Sequence, residues 1–340
     1  MAYLIRIGGA LPVALALLLA GSLAAEDDKA FPLKPPAPAV ALKPPKLEKL
    51  EGETCGKCHA DVLEEWVSTA HAISWVDEVY RDEIKDKSRP ESCHACHVPK
   101  PVLAAASGPA DRAQAREQGR DLGISCESCH AGPDGAMLGP WGAPTSAHKS
   151  AKSDAMTEKA SSAMCAVCHS TNIGPVVGIA KDFFAAKFEE KGKSCIGCHM
   201  APLERKPADG AADGSAPKPG RSHAIQTPRD PSFLALAFEP SLKTSGGKSV
   251  VSIQNRAGHR IPGLIGRKIE FQAEVLSADG KKIGQGSLVL DARTYLPVEK
   301  SVEVPLSAAG ASVHLRGLHH DPRQEKPVEF LDVKLEAGGR

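Results

Sequence analysis

All ten cysteines of this 340-residue chain fall into Cys-x-x-Cys-His motifs, and this arrangement constrains the fold more than any other feature. The motifs are Cys55/Cys58/His59, Cys93/Cys96/His97, Cys126/Cys129/His130, Cys165/Cys168/His169 and Cys195/Cys198/His199. Two intervening residues let a single helical turn bring both thiols to one edge of a porphyrin. The sulfurs bond the two vinyl-derived carbons there, and the adjacent histidine ligates iron from one side. Zinc ribbons and redox dithiols also use paired cysteines. Five copies that leave no cysteine over, with no βαβ pattern around them, predict five covalently bound haem c groups instead. Disulfides, the usual use of ten cysteines in an exported chain, do not suit this pairing.

The motifs begin at residues 55, 93, 126, 165 and 195, so little chain is available to wrap each haem. The five must therefore stack against one another. Composition agrees with that expectation: three Trp, three Tyr and eight Phe supply little of the large apolar area that ordinarily fills a core of this size.

The amino terminus reads as a secretory signal peptide over residues 1–25. Arg6 gives the positive start, Ala10 to Ala20 is apolar except for Pro12, and Ser22-Leu23-Ala24-Ala25 offers small residues for cleavage. The apolar run is shorter than the roughly 20 residues that span a bilayer. Export to the periplasm or the cell exterior is expected, which is also where haem is attached to such motifs. Residues 26–50 are rich in Pro and Lys and read as a disordered tether. Residues 51–200 carry every motif, on short helical stretches joined by turns. Residues 201–228 read as a flexible linker, with Asp209-Gly210, Asp213-Gly214 and Pro217-Lys218-Pro219-Gly220.

From residue 229 to residue 340 the pattern changes to alternation of the strand type. It shows at Val250 to Gln254, Ile269 to Leu276, Leu288 to Leu290, Ser301 to Val304, Val313 to Leu315 and Phe330 to Leu335. Asp279-Gly280 is a hairpin turn between two of these runs. The expected fold class is α+β: a mainly helical and loop-built core around five stacked haems, followed by an antiparallel β-sandwich without a haem motif of its own.

Each motif supplies only the proximal ligand, so the second ligand decides whether an iron is closed. Eight further histidines are available: His71, His94, His148, His223, His259, His314, His319 and His320. His71 lies in Val62 to Tyr80, whose apolar spacing suggests one amphipathic helix. On such a helix His59 and His71 would be about 18 Å apart, whereas two ligands of one iron are only about 4 Å apart. His71 must then serve another haem. His94, between Cys93 and Cys96, reaches only a neighbour's iron. His148 and His223 sit in polar loops able to bend onto a haem, and His259 stands in a Gly- and Pro-rich turn between strands. The candidate distal ligands are thus His71, His94, His148, His223 and His259; His314, on a strand, and His319 and His320, in a charged turn, are less well placed.

Cys55-Gly-Lys-Cys58-His59, followed by Trp66, Ser68 and His71, resembles the first haem segment of multihaem cytochromes related to the tetrahaem electron acceptor of hydroxylamine oxidoreductase. That group also has a pattern similar to Gly258-His259-Arg260-Ile261-Pro262-Gly263 with a following arginine, here Arg267. The resemblance implies that His71 and His259 are distal haem ligands. The chain departs from the group in its fifth motif and in Gly263-Leu264, where Thr-Gly is usual.

These features together predict electron transfer along mostly bis-His haems between redox proteins of respiration, such as quinol-oxidising or terminal reductase components. Two other classes stay open: an oxidoreductase acting on a small nitrogen or sulfur compound at an open haem, and a subunit of an extracellular electron conduit. No Cys-x-x-Cys-Lys variant and no tyrosine near a motif argues for the enzyme. A formal charge of +1 gives no reason to expect nucleic-acid binding. Membrane contact is expected to be peripheral at most, and homo- or hetero-oligomers are compatible with the sequence.

Overall fold

The computed structural model describes residues 55–105, 108–142, 145–208, 216–245 and 248–337. The expected signal peptide and tether lie outside the described residues. Short helices dominate the first part. They are α1 (Ala60–Val67), α2 (Glu78–Lys85), α3 (Glu91–His97), α4 (Cys126–His130), α5 (Ser161–His169), α6 (Ile179–Ala185) and α7 (Cys195–His199), with α8 (Pro231–Ala235) leading into the strands.

The single helix expected from Val62 to Tyr80 is two. Ser68 Oγ donates to the Glu65 carbonyl at 2.7 Å and Thr69 Oγ1 to the Trp66 carbonyl at 2.7 Å. These hydroxyls take over carbonyls that a continuing helix would use, and turns follow to residue 76. Asp77 restarts the helix by accepting from the Val79 amide at 3.2 Å. His71 therefore sits in a turn, anchored by the Ile124 amide on its carbonyl at 2.9 Å.

The apolar burial differs between the two regions. Around the motifs a small apolar cluster joins Trp66 with Ala72, flanked by Leu63, Val67 and Leu122. The strand region instead has one continuous core that includes Val251, Ile253, Ile269, Phe271, Val275, Leu296, Val304, Val313 and Leu315. Three of the eight phenylalanines meet inside it: Phe238 and Phe330 lie 5.2 and 5.3 Å apart from Phe271 and Phe238 respectively.

Two antiparallel sheets enclose that core. One has the order β11 (Val328–Glu336), β10 (Ser312–His320), β7 (Lys268–Leu276), β8 (Lys282–Leu290); the other is β5 (Phe238–Ser245), β6 (Lys248–Asn255), β9 (Ser301–Pro305). Alternation sets the register. Val313 pairs with Val275 and Leu315 with Ala273, all four buried, so the apolar side of both strands faces one way. Gly280, at φ +80°, makes the turn between β7 and β8 that Asp279-Gly280 signals.

Strand β5 has no counterpart among the expected strands. Pro240 interrupts its pattern, and it occupies an edge, the place a strand proline is tolerated. Residues expected to form part of a linker also pair: β3 (Pro202–Arg205) runs antiparallel to β4 (Lys218–Arg221). A two-stranded parallel pair, β1 (Met137–Gly139) with β2 (Ser150–Lys152), folds back beside α4. No described helix is long and apolar enough to cross a membrane.

Candidate haem-binding centre

Every motif sits on a helical turn. Helices α3, α4, α5 and α7 each end on their motif histidine, and the first motif occupies a 3₁₀ turn, Cys55–Lys57, that runs into α1. Ser194 caps α7 by accepting from the Gly197 amide at 3.0 Å. Ser125 and Ser128 cap α4 reciprocally. All ten thiols are free of disulfides, as attachment to porphyrin requires.

Thiols of different motifs meet. Cys55 is hydrogen-bonded to Cys126, Cys96 to Cys168, and Cys195 to Cys165. The neighbouring thiol lowers Cys55 to about 6, and Cys96 and Cys195 to about 7, because a donated S–H favours their thiolates. The donors Cys126, Cys168 and Cys165 are pushed up in return. Burial alone pushes Cys129 up to about 11. The first site thus abuts the third, the second abuts the fourth, and the fourth abuts the fifth.

Three of the five candidate distal histidines face a motif histidine of another segment. Ring centres are 6.2 Å apart for His71 and His169, 6.0 Å for His130 and His223, and 6.3 Å for His199 and His259. A histidine nitrogen lies ~2.0–2.1 Å from a transition metal. Two imidazoles closing on one iron from opposite faces therefore put their ring centres about 6 Å apart. The donor chemistry fits as well. His97 Nδ1 lies 2.7 Å from the Ser74 carbonyl, His130 Nδ1 2.7 Å from Leu138 and His199 Nδ1 2.7 Å from Gln226. A backbone acceptor holds the proton on Nδ1 and leaves Nε2 for a metal. Burial lowers His71 and His199 to about 4 and His223 to about 3, so all three rings are neutral at pH 7.

His94 and His148 are placed differently. His94 packs edge-on against Trp75 at 4.9 Å and has no motif histidine facing it among the described residues. His148 is exposed, with Nδ1 3.2 Å from Ser150 Oγ, and lies near Cys55 of the first motif. His314 and His320 pair with Asp332 and Glu270, at 2.5 and 2.9 Å. His319 is fully buried in β10.

The segment around His259 shows how the strand region reaches the motifs. Asn255 Nδ2 donates to the His259 carbonyl at 2.9 Å, and its Oδ1 accepts from Ala257 at 2.8 Å. Arg260 forks onto Asp182 of α6, at 2.6 Å from Nε and 2.7 Å from Nη2, while its guanidinium covers the Tyr295 ring at 4.2 Å. Gly263 lets this turn press on the same helix: a Cβ there would stand 2.6 Å from Ile179 Cγ2. His223 is positioned from α1, where Glu65 accepts from the His223 amide at 2.8 Å and from Arg205 Nη2 at 2.7 and 2.8 Å. Glu65, Asp182 and Arg205 have no local signature, because their partners lie far away in the chain.

Residues 54–131 match the family model of cytochrome c554 and c-prime. The match spans the first three motifs and His71. Among solved structures, the chain is similar to a penta-haem cytochrome c552 from Thermochromatium tepidum, at 15% identity and a TM-score of 0.50. The similarity covers 83% of this chain and 97% of that one. No curated protein matches. The two matches support a multihaem c-type cytochrome with covalently bound haem.

Proposed function

We propose that this chain is an exported pentahaem c-type cytochrome that carries electrons between redox partners in respiration. Cys55 and Cys58, Cys93 and Cys96, Cys126 and Cys129, Cys165 and Cys168, and Cys195 and Cys198 would hold five haems by thioether bonds. His59, His97, His130, His169 and His199 would be the proximal ligands. Haem bound at these sites would supply one-electron Fe(III)/Fe(II) exchange.

The observation that carries the proposal is the facing of His71 with His169, His223 with His130 and His259 with His199 at 6.0–6.3 Å. Paired imidazoles leave no position for a substrate and need little rearrangement when charge changes, which suits electron carriage. Contacts between cysteines of different motifs make the sites contiguous, with the fourth motif touching both the second and the fifth. His148, beside the first motif, is the candidate to close that site.

A pyridine haemochrome assay should return five haems per chain. Electron paramagnetic resonance of the oxidised protein should then be dominated by low-spin bis-His signals. A predominantly high-spin spectrum would refute electron carriage by closed sites. Export is tested by fractionation and by the amino terminus of the mature chain.

One observation favours a second reading. Although no tyrosine adjoins a motif in sequence, the fold stacks Tyr80 on His97 at 3.6 Å, and His94 turns toward Trp75. An open iron at this motif would allow chemistry on a small nitrogen or sulfur compound. A minor high-spin signal that disappears on adding nitric oxide, and is absent from a variant lacking Cys93 and Cys96, would support it.

A further inference from the structure

Where the strand region meets the motif region, three arginines from separate segments converge on two aspartates. Arg229 precedes α8, Arg267 precedes β7, and Arg323 lies in the turn after β10. Arg267 Nε is 3.2 Å from Asp321 Oδ2, and Arg323 Nη1 is 3.2 Å from Asp321 Oδ1. Arg323 also forks onto Asp77, with Nε 3.1 Å from Oδ2 and a still closer contact from Nη2. These groups are buried: Arg229 is 7% exposed, Asp321 5% and Asp77 8%.

Three guanidinium groups against two carboxylates leave one positive charge over. The structure locates it at Arg229. Its Nη2 reaches only the Ser68 carbonyl at 3.4 Å, and its Nη1 has no hydrogen-bond partner among the described residues. Beside Asp321 and Arg267, His319 is 1% exposed and neither ring nitrogen is partnered. Burial pushes the guanidinium pKa of both Arg229 and Arg267 down, and the two carboxylates do not restore it. A buried cation with unsatisfied N–H groups needs an anion. A single excess charge matches a monoanion, and a guanidinium fork matches a carboxylate.

We propose that this arginine cluster is a carboxylate site for a haem propionate, with Arg229 as the donor and Arg267 and Arg323 as its fixed flanking charges. The haem is the one attached at Cys93 and Cys96. His97 Nδ1 lies 2.7 Å from the carbonyl of Ser74, three residues before the Asp77 that Arg323 holds, so the cluster borders that motif. The inference rests on the pentahaem reading and adds a role to it. The strand region grips the second haem by its carboxylate as well as the fifth by His259. A cation held at the propionate favours the reduced iron, so Arg229 would set that haem's potential above its neighbours.

The test uses the haem-loaded protein and its Arg229→Gln variant in a spectroelectrochemical titration. Expected is a fall in one component potential of about 59 mV or more, a tenfold shift in a one-electron equilibrium, with the other components unmoved. Arg229→Lys should retain the potential while altering the propionate-bending bands in resonance Raman spectra. This variant carries the test should the Gln variant not accumulate. A full count of five haems with unmoved potentials and unmoved bands would overturn the propionate assignment and leave the pentahaem reading intact. A count below five in the unaltered protein would overturn the pentahaem reading itself. If added acetate shifts the unaltered protein's potential, the cluster holds an exchangeable anion and the propionate assignment fails.

Discussion

The clamp between Arg260 and Asp182 offers the sharpest perturbation, because it joins the turn that presents His259 to the helix before the fifth motif. Asp182→Asn keeps the shape of the side chain and removes its charge. Both partners are mostly covered, with side chains 12% and 14% exposed. Breaking such a pair costs ~3 kcal/mol, since the arginine stays behind without its counter-charge. Each 1.36 kcal/mol is a factor of ten. A loss that falls wholly on this clamp therefore raises the detached population about a hundredfold. His259 should then leave the face of His199 in a measurable fraction of molecules. Electron paramagnetic resonance of the oxidised variant should show one low-spin component giving way to high-spin signal, with His259→Ala as the full-loss reference. Urea unfolding of the strand region, followed by far-ultraviolet circular dichroism, should shift to lower midpoint. An Asp182→Asn protein with the unaltered spectrum and midpoint would refute the clamp.

Three further outcomes follow from the same geometry. Glu65→Ala removes the acceptor of both the His223 amide and Arg205, should cost about 2–3 kcal/mol in thermal unfolding, and should broaden the low-spin signal of the haem proposed at the third motif. Gly263→Ala puts a methyl group 2.6 Å from Ile179 and should destabilise the protein by ~1–3 kcal/mol in urea titrations, an effect that Ile179→Ala relieves in the double variant. Asp321, despite its burial, is held below the usual carboxylate range by Arg267 and Arg323. Its contribution is full above the unfolded carboxylate value of ~3.9 and is lost as pH falls through the lower folded value. Asp321→Asn should therefore lower the unfolding midpoint at pH 7, and the gap to the unaltered protein should close in strong acid.

Much of the site could be read from the sequence because its chemistry is local. Each of the five motifs holds two thiols and a histidine within about one helical turn, so spacing alone nominates them. The histidines that face the motifs are non-local: His71 meets His169, and His223 meets His130, across long stretches of chain. Residue type could nominate these histidines, while their pairing needed the fold. The same nomination included His94, whose neighbours turn it onto Trp75. Among the strands, β7 announces itself through Ile269, Phe271, Ala273 and Val275, buried on alternate positions. Strand β8 begins earlier than expected because Gly284 and Gly286 dilute its alternation, and Pro240 masks β5. The division of the presumed helix at Val67 came from hydroxyl competition for carbonyls, which apolar periodicity does not register.

The contacts between thiols of different motifs bear on how the protein is made. Cys55 and Cys126, Cys96 and Cys168, and Cys165 and Cys195 stand close enough in the folded chain to hydrogen-bond. In an oxidising compartment, a chain that folded before receiving its cofactors would present three ready-made opportunities for the wrong covalent link. If the motifs hold haem as proposed, maturation would have to load porphyrin onto the nascent chain ahead of folding, or keep these six sulfurs reduced until it has. The compactness that brings the sites together makes the order of assembly part of the structure.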